Sequence, residues 1–349
     1  MSHLFDSFRI GHFRGFTDVE LTDCGAVNLL IGANNSGKSS ILEALALFCR
    51  PLDQRGWVNA LRRRDSRGRQ IFSVEDLWWL FSQPSDQLSG PQISLSAIGE
   101  HPVKSAAAMA VRISRLKEDD AMEEAGISIT ARISYSETQG ETSTLEFWPN
   151  MVFPGTESPA PSVNLQSLTP FSHRIEPEQV RAFTEATMGD WKSDVLDLLQ
   201  KIDPAILNLE ILDPTGTSST LGVKYNGLPI APLSTLGDGL RRIISIALAI
   251  GNLKNGLLLI DEIESAVHVS ALETVFPWLT AACKKNNVQL FATTHSLEAL
   301  DALLATPEGN EMACYRLNRP DQKERIQRIA PDLLRRLRYN RGFDVRFSR

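Results

Sequence analysis

Apolar residues run along the chain in two rhythms. Short runs at Phe8 to Ile10, Val19 to Leu21 and Val27 to Ile31 predict strands, and Ser39 to Cys49, with Ile41, Leu45 and Phe48 on one face, predicts a helix. Further β-like runs at 92–98, 109–115, 127–135 and 143–148 predict an antiparallel layer. Prolines, glycine and serines dominate from Met151 to Pro170 without apolar periodicity, which predicts a loop between lobes. One helix is then predicted over 176–202, with Val180, Phe183, Thr187, Trp191, Val195, Leu198 and Ile202 spaced by three and four. From Leu233 helices and apolar strands alternate: Gly239 to Asn252, Gly256 to Ile260, Ser270 to Lys285, Val288 to Ala292, and Leu297 to Leu304. Buried strands alternating with helices predict an α/β fold with a mostly parallel core sheet. No heptad pattern is sustained long enough for a coiled-coil arm.

Composition bounds this picture without changing it. The chain has 349 residues, 42% hydrophobic and 22% charged, enough for one large domain or two modest ones. A net charge of −6 argues against a surface that is basic throughout. No apolar run approaches the ~18 residues of a membrane span and no leader is recognisable at the N-terminus, so no membrane partner and a cytoplasmic location are expected. Cysteines at 24, 49, 283 and 314 are scattered without metal-ligand spacing and are expected to be reduced packing residues.

Candidate chemistry lies at three strand ends. Gly32-Ala33-Asn34-Asn35-Ser36-Gly37-Lys38-Ser39 matches the phosphate-loop pattern between a predicted strand and a predicted helix, with Ser40 in that helix's first turn. Glycines let successive backbone N–H groups curl around phosphates. Lys38 supplies a positive charge at the β and γ positions, Ser39 a hydroxyl for Mg²⁺, and the helix N-terminus a favourable dipole. Leu257 to Ile260 ends in Asp261-Glu262, where Asp261 would hold Mg²⁺ and Glu262 would act as general base on water. The next apolar strand ends in Thr293-Thr294-His295, placing a histidine where the γ-phosphate and water are reached.

Together with Leu233-Ser234-Thr235-Leu236-Gly237-Asp238-Gly239, these motifs resemble the Walker A, signature, Walker B and switch-histidine set of ABC-class ATPases. Phe13-Arg14-Gly15-Phe16 and Asn34-Asn35 further resemble the branch containing RecF and the OLD (overcoming lysogenization defect) nucleases. The resemblance implies a P-loop NTPase head of ABC type that binds ATP and Mg²⁺ and closes as a homodimer, each signature meeting the nucleotide of the other subunit. Either Ser234 or Gly237 takes the signature serine position, with Asp238 and Gly239 opening the helix. The blocks expected are 1–150 as lobe I with the antiparallel layer, 151–232 as a helical lobe insertion, 233–318 as the second half of the head, and 319–349 as an Arg-rich tail. The stretch after His295 is expected to be too short for a Toprim nuclease domain. Such a switch acts through a separate effector protein, as in ATPase subunits of prokaryotic anti-phage systems of PARIS or Septu type. The alternative is a RecF-type DNA clamp. Two arginine clusters, Arg62 to Arg69 and Arg335, Arg336, Arg338, Arg341, Arg346 and Arg349, are candidate contacts for DNA or RNA or for an acidic partner.

Overall fold

The structure, a computed structural model, describes residues 3–62, 73–82, 90–116, 123–149, 151, 163–213, 216, 219–318 and 326–347. The chain forms two compact units that are discontinuous in sequence: 1–24, 33–163 and 317–328 in the first, 25–32, 164–316 and 329–349 in the second. The expected blocks were consecutive. The chain instead enters the second unit early, for one strand, because that strand pairs with a strand contributed some 260 residues later.

The first unit carries strands β1 (Ser7–Phe13) and β2 (Phe16–Leu21), helices α1 (Lys38–Phe48), α2 (Gln54–Arg62) and α3 (Val74–Trp78), and strands β4 (Gln92–Ile98), β5 (Ser105–Leu116), β6 (Glu123–Ser134) and β7 (Gly140–Phe147); β3 (Val27–Gly32) belongs to the second unit. The strands form one antiparallel sheet in the order β2-β1-β4-β5-β6-β7. Alternation along β4, with Ile93, Leu95 and Ala97 buried between partly exposed neighbours, turns one face of this sheet inward. Phe5, Phe8 and Phe48 meet edge-on there, and the buried His101 ring stacks on Phe5 with centroids 5.1 Å apart.

The second unit adds β8 (Leu165–Leu168), α4 (Glu176–Met188), α5 (Lys192–Ile202), β9 (Ile206–Leu212), β10 (Thr220–Tyr225), β11 (Ala231–Pro232), α6 (Asp238–Gly251), β12 (Leu257–Ile260), α7 (Val269–Lys285), β13 (Gln289–Thr293), α8 (Leu297–Leu304), β14 (Ala313–Leu317) and α9 (Pro331–Arg335), whereas β15 (Ile326–Ile329) falls in the first unit but for its last residue. Its sheet runs β14-β3-β13-β12-β8, and the pairs β3–β13, β13–β12 and β12–β8 are parallel. Every residue of β3, β12 and β13 is buried, which is why these strands read as continuous apolar runs. A three-stranded antiparallel sheet, β11-β10-β9, lies within the stretch expected to be helical.

Two expectations are corrected here. The helix over 176–202 is two helices, because Gly189 ends α4 and Asp190 adopts a left-handed φ of 57°. The apolar spacing survives the break, since Trp191 remains buried and donates from Nε1 to the Ala247 carbonyl at 3.0 Å. The loop over 151–170 contains β8, whose Gln166 and Ser167 hide it from an apolar search, and it pairs in register with β12 from Leu165 to Leu168.

Candidate functional site

Three neighbouring parallel strands end at one edge of the core sheet: β3 at Gly32, β12 at Ile260 and β13 at Thr293. This is the carboxyl edge, where α/β proteins gather chemistry.

The loop leaving β3 is shaped for an anion. Gly32, Asn35 and Gly37 have φ of 142°, 62° and 101°, so the chain turns back on itself in the way a phosphate cradle requires. A Cβ on Gly37 would stand 2.4 Å from the Phe16 ring, so only glycine fits. Lys38 is buried and its Nζ donates to the Ala33 carbonyl at 2.9 Å, closing the loop on its own lysine. The Ser36 side chain is buried as well, with its Oγ unpartnered. Asn34 and Asn35 are exposed, and Ser39 and Ser40 lie in the first turn of α1. Glu43, fully buried in α1, accepts from Arg14 Nε at 2.7 Å, which ties the Phe13-Arg14-Gly15-Phe16 turn to the helix below the loop.

The acidic pair is held by residues that strand and helix patterns alone do not single out. Asp261 is buried, and its Oδ1 accepts from the Thr293 hydroxyl at 2.5 Å. The same hydroxyl accepts from the Glu262 N–H at 2.8 Å. Glu262 has a left-handed φ of 47°, unfavourable for a residue with a Cβ. Arg242, fully buried in α6, donates to the carbonyls of Thr169, Asp261 (3.0 Å) and Glu262 (3.4 Å). Burial pulls its guanidinium down to about 10, against the opposing pull of Asp261 and Glu262. A signal was present in the sequence: helical period places Arg242 on the same face as Ile246 and Ala249, where a cation requires carbonyl or carboxylate partners. His295 is half-buried, its backbone fixed by an N–H bond to Glu264 Oε1 at 2.8 Å and by Arg346, which donates to its carbonyl at 2.5 Å.

The signature segment has two parts. Leu233–Thr235 forms a 3₁₀ turn with Ser234 exposed, and Gly237 is the residue capping α6, followed by Asp238 and Gly239 in the first turn. Gly237, not Ser234, therefore sits directly at the helix N-terminus.

The residues fit Mg²⁺-nucleotide. The glycine-restricted cradle and Lys38 suit phosphates, and Ser39 in the first unit and Asp261 in the second are each hard oxygen donors of the kind Mg²⁺ takes. Among the described residues no group of three or more His, Cys, Asp or Glu is placed to hold a metal by itself.

The arginine clusters are placed differently from each other. Arg63 to Arg69 lie outside the described residues, as does Arg349, and Arg62 is described only as the last residue of α2. The C-terminal stretch is not a loose tail: Arg338 takes both oxygens of Asp301 at 2.8 and 2.6 Å, Arg335 donates to the Leu304 carbonyl at 2.7 Å, and Arg346 pairs with Asp344. Arg336 and Arg341 remain exposed. All four cysteines are free and buried, and no helix among the described residues is long and apolar enough to cross a membrane.

The fold is that of an α/β P-loop NTPase. Residues 163–301 match the family described as "AAA domain, putative AbiEii toxin, Type IV TA system", and residues 5–79 match an AAA ATPase domain family. The chain belongs to one family with an uncharacterized protein of Methanocaldococcus jannaschii, which is 40% identical over 113 residues, 32% of this chain and 99% of that one. An ATP/GTP phosphatase of Helicobacter pylori is 23% identical, covering 86% of this chain and 87% of its own. In fold the chain is similar to an Smc head bound to the C-terminal winged-helix domain of ScpA (TM-score 0.54, 13% identity, 93% of this chain and 97% of that one). It is also similar to a Pyrococcus furiosus Smc head with an extended coiled coil (TM-score 0.50, 11% identity, 98% and 100%).

Proposed function

We propose that the protein is a nucleotide-gated dimeric switch that binds and slowly hydrolyses ATP with Mg²⁺ and controls a separate nuclease or toxin in prokaryotic anti-phage defence. The observation that carries this reading is the common sheet edge at which β3, β12 and β13 deliver the phosphate loop, the Asp261-Glu262 pair and His295. Mg²⁺, when bound, neutralises phosphate charge. Lys38 and the loop N–H groups would hold the β- and γ-phosphates, and Ser39 and Asp261 are the residues that would hold the ion. Glu262 takes a proton from the attacking water while Thr293 and Arg242 keep its backbone in place. His295 orients the water and γ-phosphate. Gly237, Asp238 and Gly239 at the start of α6 face the nucleotide of a second copy, as an exposed helix N-terminus suits an anion. Support for the defence role is the match of residues 163–301 to a family described by a toxin–antitoxin system.

The test is the Glu262→Gln protein, which is expected to bind ATP normally, turn over orders of magnitude more slowly and accumulate as a dimer, whereas Lys38→Ala weakens binding. His295→Ala is expected to close but hydrolyse poorly. Wild-type turnover by Glu262→Gln, or a monomer at saturating ATP, refutes the reading. Material co-isolated with the trapped dimer separates the partners: a stoichiometric protein supports an effector switch, and nucleic acid alone, released by moderate salt, a DNA clamp.

A further inference from the structure

The N-terminus of α6 carries a charge that its proposed role does not need. A helix start that meets a phosphate works through free N–H groups and a positive dipole. Here Asp238 places a carboxylate in that first turn, 38% exposed, where it would repel an incoming γ-phosphate. The repulsion is cancelled by Arg174, whose Nη2 lies 2.5 Å from Asp238 Oδ2. Arg241 Nη1 and His173 Nε2 each stand 3.5 Å from the other oxygen. With a neutral histidine the cluster is net positive, and these cations hold the Asp238 carboxyl below its usual range, Arg174 foremost.

Arg174 differs from the rest of the cluster in being able to leave. It sits in the short 3₁₀ turn Ser172–Arg174, and its side chain is 54% exposed, so its ion pair is weak and reversible. The base of the segment is fixed, because Arg242 grips the Thr169 carbonyl and Thr169 N–H donates to Ser172 Oγ at 2.9 Å. Its planar fork matches a phosphate, which carries more charge than one carboxylate. His173 is the second observation. Its side chain is 1% exposed, yet neither ring nitrogen has a hydrogen-bond partner, a costly arrangement in a buried group. Its Nε2 faces Asp238, and with Arg241, only 12% exposed, it is what remains to hold that carboxylate once Arg174 has gone.

We propose that Arg174 is a cation supplied in trans: on dimer closure it leaves Asp238 and pairs with the γ-phosphate of the nucleotide held by the partner subunit, while His173 and Arg241 retain Asp238. This rests on the face-to-face dimer described above. Asp238 is then the resting place of the arginine, and the ion pair is a latch that opens only when a γ-phosphate arrives. ADP, lacking that group, leaves the latch shut.

The test uses the full chain carrying Glu262→Gln, with ATP and Mg²⁺, and reads the ATP concentration at half-maximal dimer by light scattering alongside binding of a fluorescent ATP analogue to dilute, monomeric heads. Arg174→Ala is expected to leave binding by the single head unchanged and to raise the ATP needed for dimerisation roughly tenfold or more, the worth of one charged hydrogen bond. Arg174→Lys is expected to recover part of the loss. Asp238→Ala breaks the same ion pair but frees the arginine, and is expected to lower the ATP requirement. If Arg174→Ala and Asp238→Ala shift dimerisation in the same direction, the pair is a structural brace and the proposal is overturned, as it is if Arg174→Ala changes nothing. Failure of the Glu262→Gln parent itself to dimerise overturns the underlying dimer reading instead.

Discussion

Thr293→Val changes one oxygen for one methyl group at the centre of the site. The side chain is fully buried, the two residues are nearly isosteric, and valine suits a buried strand, so packing is conserved. The hydroxyl makes two bonds, one donated to the Asp261 carboxylate at 2.5 Å and one accepted from the Glu262 N–H at 2.8 Å. A hydrogen bond to a charged group contributes about 1.5–3 kcal/mol and a neutral one about 0.5–1.5 kcal/mol. Gains from burying a methyl group return at most about 1 kcal/mol. The expected loss is therefore about 1–4.5 kcal/mol, a large share of a typical total of about 5–15 kcal/mol. Urea unfolding should show a lower midpoint at unchanged slope, since the surface exposed on unfolding is the same. Turnover should fall by more than binding, because the Glu262 backbone, at φ 47°, loses the bond that holds its N–H. Thr293→Ser keeps the oxygen and should recover most of both losses. A Thr293→Val protein within about 0.5 kcal/mol of wild type, or one no worse than Thr293→Ser, refutes the role assigned to the hydroxyl.

Arg242→Met should cost about 2–4 kcal/mol in chemical denaturation and depress ATP turnover with nucleotide binding retained, since it removes the buried cation that holds the Thr169, Asp261 and Glu262 carbonyls. Gly37→Ala should abolish ATP binding in an equilibrium binding assay and lower stability by about 1–3 kcal/mol, because alanine at φ 101° is strained and its Cβ meets Phe16 at 2.4 Å. Burial pushes the His101 imidazole down to about 4, so the folded state disfavours its protonation. The stability His101 contributes by staying neutral is present above the unfolded value near 6.5 and is lost as pH falls towards 4, by about 3 kcal/mol in all. Unfolding free energies of His101→Phe measured across that window should fall less steeply than those of wild type.

Much of the fold was legible because burial wrote it into single positions. Strands β3, β12 and β13 are buried on both faces and so appear as unbroken apolar runs, and α8 was readable residue for residue from 297 to 304. Helix α1 follows a loop whose glycines have no other use than a tight backbone. β8 escaped because an edge strand four residues long, three of them half-buried, carries no periodicity to detect. The break between α4 and α5 escaped because Trp191 keeps the apolar spacing across it.

The candidate site divides in the same way. The order of phosphate loop, acidic pair and histidine is a property of the chain, since each motif is short and lies where a strand must end. Which residues hold these groups is not. The hydroxyl of Thr293 could belong to any buried strand end, and Arg242 is adjacent in sequence to Arg241, with which it shares a residue type but not an environment. The C-terminal arginines look alike in sequence, yet Arg338 is locked onto Asp301 while Arg341 stays exposed. Sequence determined what each segment is and which chemistry its residues offer, because periodicity and motif spacing are local. Tertiary structure alone decided the pairs, because the partners of Arg242, Arg338 and Thr293 are set by packing across tens of residues, and an ion pair or a hydrogen bond has no signature in either partner taken singly.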